Sequence, residues 1–531
     1  MDEQIYYNGP ILTMENELYA EAIFIQNGII KKVGSKEEIF KFKTDKTKII
    51  DLKGRTLMPS FIDPHSHITA VANTLGLVNL TNCRSFDDII KKLTTFKSCK
   101  KLNDDEWIIG FGYDNNSLVE KKNPTKDILD KATSYNPILI SHVSGHMGCA
   151  NSIALEKLNI TSNTKNPKGG LIGRIPHSNE PNGYLEETAF TENTKNIPKP
   201  SLEIMGKFIE EAQDIYLSYG ITTCQDGLVG NSEFNILNFV AKNKKLKIDV
   251  VAYVDLKNYK SIIDRNKQYV KKYNTRLKLG GYKIFLDGSP QGKTAWLTKP
   301  YENSKDNYCG YPIYNDSELK AFVKTSLDEN MQLLSHCNGD AAADQLINCF
   351  SEVLNNGNYN KNTRPIMIHA QTVRYDQVDK MKNIGMMPSY FVAHVYYWGD
   401  IHIQNLEEER AFKISPAKTT LDKKLPFTFH QDSPVVPPNM LFTIWCAINR
   451  ITKNGVLLGE NEKISPLDAL KAITINSAYQ YFEEDMKGSL KEGKLADLII
   501  LDKNPLEVNP IEIKDIRILK TIKEGKVLYS L

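Results

Sequence analysis

Two histidines two residues apart, His65 and His67 in FIDPHSH, open a series of side chains able to hold a divalent cation. Along an extended strand, residues i and i+2 point to the same side, so both imidazoles can reach one ion. Pro64 favours an extended Asp63 and marks the strand's end. Taken alone, a His-x-His pair is equally well read as two polar loop residues. Two more histidines narrow the reading. His336 in LLSHCNGD and His369 in IMIHAQ each close a short apolar run. Neutral imidazole suits zinc or another borderline divalent ion. Asp432 in FHQDSPV adds a carboxylate. Such a group binds metal through one oxygen and takes a proton from water through the other. Ser433-Pro434 directly after it also suits a turn aspartate.

Lys283 lies in YKIFLDGS, and a lysine pointing into a barrel is costly unless paired or modified. Addition of CO₂ makes it a carbamate, an oxygen ligand able to bridge two metals. Unmodified, it can pair with Asp287, four residues on, itself a candidate substrate contact. His430 precedes Asp432 by two and shares its face. It is a candidate for supporting a ligand, contacting substrate or filling structure.

These residues need elements that converge them. Short apolar runs of strand type fall at 57–63, 221–225, 250–254, 281–286, 332–335, 366–368, 386–390 and 427–429. Helical spacing predicts helices at 202–219, ending before Gly220, and at 341–354 and 377–384. Ser465 followed by Pro466 is a helix start: a hydroxyl to cap, then a fixed φ at the first helical position. Eight strands alternating with helices predict an α/β fold, a (β/α)₈ TIM barrel, and catalytic groups there gather at the strands' C-terminal ends. Both ends of the chain read as short strands with turn signals: 4–7, 22–25, 29–33 and 49–52, then 497–501, 518–522 and 526–529. Residues 1–57 and 486–531 are therefore expected to form one composite β-sandwich, with the barrel at 58–485. The stretch from about 68 to 201 is too long for a simple connection and is expected to be an insertion over the active site.

The chain has 531 residues, 41% apolar and 25% charged, as soluble globular proteins do. Its net charge of +3 gives no electrostatic case for nucleic acid or an anionic membrane. Eight scattered cysteines without a C-x-x-C predict no disulfide framework. With no signal-like start and no apolar run of about 18 residues, the expectation is a cytoplasmic protein acting on a small molecule.

Several longer motifs carry a resemblance. They include LMPSFIDPHSH at 57–67, SGHMGCANSIAL at 144–155, GGLIGR at 169–174, YKIFLDGSPQGKTA at 282–295 and HCNGDAA at 336–342. PSYFVAHVYYWGD at 388–400, FHQDSPVVPP at 429–438 and GSLKEGKLADLIILDKNP at 488–505 continue the series. Across nearly its whole length the chain resembles the amidohydrolase superfamily, in the branch that includes N-substituted formamide deformylase and YtcJ-like hydrolases. The resemblance implies metal ligation by His65, His67, His336 and His369. It puts Lys283 at the position of the carboxylated lysine and makes Asp432 the acid/base. One or two zinc-like ions and a homodimer follow as expectations. Asp432 and His336 are the expected catalytic pair, with His336 or His369 also available to stabilise an oxyanion. His146, His394, Trp398, Asp287 and His430 are candidate substrate contacts, with Tyr396, Tyr397 and Arg410 near them. The activity expected is hydrolysis of a non-peptide carbon–nitrogen bond, in a small amide or N-substituted formamide. The alternatives are heterocycle deamination, cyclic amide opening or a non-catalytic scaffold.

Overall fold

Eight parallel strands form one sheet in a computed structural model of the chain, which describes residues 2–302, 304–360 and 362–531. They are β1 (Phe61–Ile62), β2 (Ile221–Val229), β3 (Asp249–Asp255), β4 (Leu277–Phe285), β5 (Gln332–Cys337), β6 (Ile366–His369), β7 (Met387–Tyr390) and β8 (Thr428–Phe429). Neighbours in the sheet follow chain order, and every pairing is parallel. Parallel neighbours need crossover segments, and helices such as Asp316–Asp328 and α1 (Asp340–Asn355) supply them. Beyond the strand ends, the Asp432 N–H donates to the His65 carbonyl at 3.2 Å, and the His67 N–H donates to the Ser433 carbonyl at 2.8 Å. These bonds join the chain after β8 to the chain after β1, so the sheet curls round into the expected barrel.

Apolar residues from successive strands fill the interior. Ile62, Val251, Leu334, Ile366, Ile368 and Met387 share one buried cluster. Burial of each such side chain contributes roughly 1.5–3 kcal/mol. Helix starts follow local chemistry: the Ser465 hydroxyl accepts from the Asp468 N–H at 3.1 Å, with Pro466 at the first helical position.

Both chain termini build a single eight-stranded sheet. Glu3–Leu12 lies at its centre and pairs with Tyr19–Gln26, Thr47–Asp51 and Thr56–Pro59. Thr56–Pro59 in turn pairs with Leu498–Leu501 from the other end of the chain. Ile23 and Ile25 from one arm meet Leu498, Ile500 and Ile522 from the other in a common core. Strands 56–59 and 61–62 are successive, so the terminal sheet runs straight into the barrel.

The chain separates into two compact units, Met1–Val71 with Ile209–Leu531, and Ala72–Phe208. The second holds its own six-stranded sheet. Along its strand Ile138–His142, Ile138 and Ile140 enter one buried cluster while Leu139 enters another, as strand alternation requires. Among the described residues no helix is long and apolar enough to cross a membrane.

Candidate metal centre

The barrel's strand ends bring the expected ligands together. His65 Nε2 and His67 Nε2 lie 3.4 Å and 3.2 Å from Asp432 Oδ1, and His369 Nε2 lies 3.9 Å from Asp432 Oδ2. One ligand atom from each of His65, His67 and Asp432 fits within a 4.8 Å group. The His336 ring is 4.6 Å from the His369 ring, and Lys283 Nζ is 3.4 Å from His65 Nε2. The six residues lie from the last residues of their strands to a few residues beyond them, at the strands' C-terminal ends, where the closing of the sheet aims them at a common point.

Several features fit a cation. Asp432 Oδ1 and His336 Nδ1 are buried and have no hydrogen-bond partner among the described residues. Burial pushes His65 and His369 well below the usual imidazole range, which keeps them in the neutral, ligating form. For Asp432, burial acts to raise the carboxyl, but His67, His430 and Lys283 outweigh it and hold it below the usual carboxylate range. Imidazoles with a carboxylate are the donor set of zinc and similar divalent ions. His369 (φ 73°) and Asp432 (φ 55°) both adopt the left-handed backbone that non-glycine residues rarely take, so the surrounding packing imposes their geometry.

A second layer of residues orients the first, and the sequence reading missed most of it. Gln225, near the middle of β2, places Oε1 2.6 Å from His65 Nδ1. Its amide nitrogen donates to the Pro64 carbonyl at 2.7 Å. This arrangement leaves His65 Nε2 facing the cluster. Gly227 is the close-approach position here: a Cβ on it would sit 2.6 Å from His65 Cε1. Behind His369, His430 Nε2 lies 3.1 Å from His369 Nδ1, and His430 Nδ1 lies 2.8 Å from Ser389 Oγ. A polar residue on the inward face of an apolar strand is the only mark Gln225 and Ser389 leave in the sequence.

Some expected contacts are placed differently. His430 is fully buried with both ring nitrogens engaged by protein, so it backs His369 and has no nitrogen left for substrate. Asp287 is also buried, and it neither pairs with Lys283 nor faces open space. Its carboxylate accepts from the backbone N–H groups of Asn338 (2.9 Å), Gly339 (2.7 Å) and Trp296 (3.0 Å). The reason is local: β4 ends at Phe285, so strand alternation no longer puts residue 287 on the side of 283. Lys283 is fully buried, and among the described residues no carboxylate lies within ion-pair distance of it. Burial pushes its amine down to about 7, against the pull of Asp432. Arg410 donates to the carbonyls of Lys299 and Pro300, 3.1 Å and 2.6 Å away, which makes it a staple from the helix His394–Ala411 to the loop at 299–300. His394 and Trp398 form a wall with Phe391, whose ring lies 5.4 Å from that of His430. Tyr396 and Tyr397 pack on Phe442. His146, in the unit Ala72–Phe208, is exposed, with Nδ1 3.0 Å from the Glu187 carboxylate.

The chain as a whole is similar to known proteins. A model of the amidohydrolase family matches residues 48–529. The chain is 28% identical to Protein LONG AFTER FAR-RED 3 of Arabidopsis thaliana, over 98% of this chain and 91% of that one. It is 23% identical to the N-substituted formamide deformylase of Arthrobacter pascens, over 96% of this chain and 95% of that one. The crystal structure of an uncharacterized metal-dependent hydrolase from Pyrococcus furiosus superposes with a TM-score of 0.76 at 25% identity, covering 95% of this chain and 100% of that one. Since the family's pattern runs through both the barrel and the terminal sheet, the chain belongs to the amidohydrolase family and is a hydrolase of metal-dependent type.

Proposed function

We propose that the protein hydrolyses the carbon–nitrogen bond of a small amide, with an N-substituted formamide as the leading substrate class. The observation that carries this reading is the buried, unpartnered Oδ1 of Asp432 facing the Nε2 atoms of His65 and His67, with His369 Nε2 against its other oxygen. The likeness to an N-substituted formamide deformylase over nearly the whole chain supports the substrate class. His65, His67, His336, His369 and Asp432 would hold a divalent ion such as zinc. When bound, that ion supplies Lewis acidity, polarising the amide carbonyl and acidifying water.

The chain's own groups then handle the protons. Asp432, held ionised, accepts a proton from the attacking water as the water oxygen bonds to the amide carbon. It returns that proton to the amide nitrogen as the carbon–nitrogen bond breaks. A formamide thus yields formic acid and a neutral amine, and transfer of the remaining acid proton to the amine gives formate and an ammonium ion, so atoms and charge balance. His65 and His369, kept neutral by burial, do not compete for the proton. Lys283, a buried amine depressed to about 7, is suited to bond its nitrogen to CO₂ and lose a proton to water. The resulting N-carboxylate would remove the cost of an unpaired buried ammonium and add an oxygen donor beside His65.

The test pairs two measurements on protein purified without chelator. Elemental mass spectrometry should find one or two divalent ions per chain. A panel of small amides should release formate from N-substituted formamides. Ammonia from amino-heterocycles instead would move the reading to deamination. Absence of metal together with failure to recover it from zinc, manganese or iron with bicarbonate would end the hydrolytic reading of this site.

A further inference from the structure

A second histidine pair stands on the helix α2 (His394–Ala411), outside the candidate ligands. His394 Nδ1 lies 3.0 Å from His402 Nε2, and the two rings are within 4° of parallel. His402 is fully buried, and its Nδ1 has no hydrogen-bond partner among the described residues. His394 is 4% exposed; its Nε2 has no protein partner among the described residues, but unlike His402 Nδ1 it is not sealed from the surroundings, so a proton there can meet solvent or a bound molecule. The His394 ring packs on Phe391 (4.7 Å) and Trp398 (4.5 Å). Phe391 also lies 6.2 Å from the His369 ring, so His394 stands one aromatic ring away from a candidate ligand.

Two neutral imidazoles in this contact share one proton, and there are only two ways to place it. Burial keeps both neutral, lowering His402 to about 4 and His394 well below the usual range. If His394 Nδ1 donated, His402 would carry its own proton on Nδ1, a buried N–H with nothing to accept it. Orphaned buried N–H groups are rare, because the whole desolvation cost falls on them. If His402 Nε2 donates instead, its Nδ1 is a bare lone pair, the cheaper group to leave alone. His394 Nδ1 then accepts, and the proton of His394 must sit on Nε2.

We propose that His402 fixes His394 as an Nε2–H donor, and that this donor selects substrates carrying a hydrogen-bond acceptor beyond the scissile amide. His402 is a positioning residue and His394 a specificity-determining one. The selection rests on the amide-hydrolase reading above, whereas the proton's position does not. An amide whose far end bears a carbonyl oxygen is therefore preferred over one whose far end is purely hydrocarbon.

The test uses two probes, N-benzylformamide and its para-carboxamide derivative, with equilibrium binding measured by titration whether or not either turns over. Histidine ¹⁵N spectra of the full chain report which nitrogen of His394 is protonated. Wild type should show the Nε2–H form and bind the carboxamide about tenfold tighter than the plain amide, the scale of one good neutral hydrogen bond. His402→Leu should mix the His394 forms and erase the tenfold preference. His402→Gln, whose amide can still donate to His394 Nδ1, should restore both, which separates the effect from simple loss of packing. An Nδ1–H form of His394 in wild type would overturn the proposal, as would a probe preference unchanged in His402→Leu. Lack of any preference in wild type, or no binding of either amide, would overturn the substrate selection. Binding with no hydrolysis of either probe would instead count against the proposed activity and leave the proton assignment standing.

Discussion

The two ends of the barrel treat buried charge in opposite ways. At the N-terminal end, every buried ion has a partner. Asp249, the first residue of β3, receives Lys487 at 2.5 Å, Lys523 at 2.7 Å and Arg276 at 3.0 Å. Lys523 also meets Asp497 at 2.7 Å, and Glu483 pairs with both Lys278 and Lys487. At the C-terminal end, buried polar atoms are left open, Asp432 Oδ1 and His336 Nδ1, and the Lys283 amine has no carboxylate within ion-pair distance among the described residues. An unsatisfied buried charge costs several kcal/mol, so a fold keeps one only where something else will meet it. Closed networks at one end tie the terminal sheet to the barrel. Open valences at the other end are what a cation and a substrate would fill.

This contrast can be broken most sharply at Asp432. Asp432→Asn should lower turnover of the formamide substrate by about 10²–10⁴-fold. Its urea unfolding free energy should stay within about 1 kcal/mol of wild type, since asparagine keeps an oxygen beside His65 and His67 and the desolvation cost of the charge is lost with it. Parallel loss of stability would erase the distinction between the ends. Asp249→Ala reverses the pattern. It removes one of the two carboxylates held by each of Lys487 and Lys523, which keep Glu483 and Asp497, so unfolding measurements should show a loss of about 1.5–3 kcal/mol, while turnover per folded molecule stays within about twofold.

Acid titration sharpens the same point. Burial acts to raise Asp249, but Lys487, Lys523 and Arg276 outweigh it and depress its carboxyl far below the usual range. A depressed folded-state value gives stability that is present above the unfolded carboxyl's value of about 3.9 and is lost as pH falls toward the folded one. Calorimetric melting scans below about pH 4 should show this acid loss in wild type and a flatter one in Asp249→Ala. Gln225→Leu comes next, with metal affinity by chelator competition weakened about 10–100-fold through misorientation of His65. Ser389→Ala should be smallest. It removes one partner of His430, worth about 1 kcal/mol, so metal affinity should fall by less than about tenfold.

Strand ends were the most legible part of the chain. The runs ending near 63, 286, 335 and 368 coincide with β1, β4, β5 and β6, because apolar runs punctuated by polar residues are a local signal. The six candidate ligands follow from that signal, since each interrupts or closes such a run. The supporting layer was not legible. Gln225 and Ser389 become informative only when one knows which rings stand behind them, and the contacts His65–Gln225 and His369–His430 join distant segments. Asp287 misled for a related reason: its partners are backbone amides of two other loops, which leave no trace in side-chain type. The left-handed turns at His369 and Asp432 were equally hidden, since neither residue is a glycine.

The backbone bonds that close the barrel carry a further consequence. Asp432 N–H to His65 C=O and His67 N–H to Ser433 C=O make the seam of the cylinder and the rim of the ligand cluster the same few atoms. Until the eighth strand has been synthesised and has docked beside the first, Asp432 is missing from that cluster. A growing chain therefore lacks its proposed acid/base until residue 432 of 531 is in place, and a cation gripped by His65, His67 and Asp432 would act as a clasp on the finished ring. Amide hydrogens along this seam should exchange fastest in metal-stripped protein and slow markedly once an ion is restored.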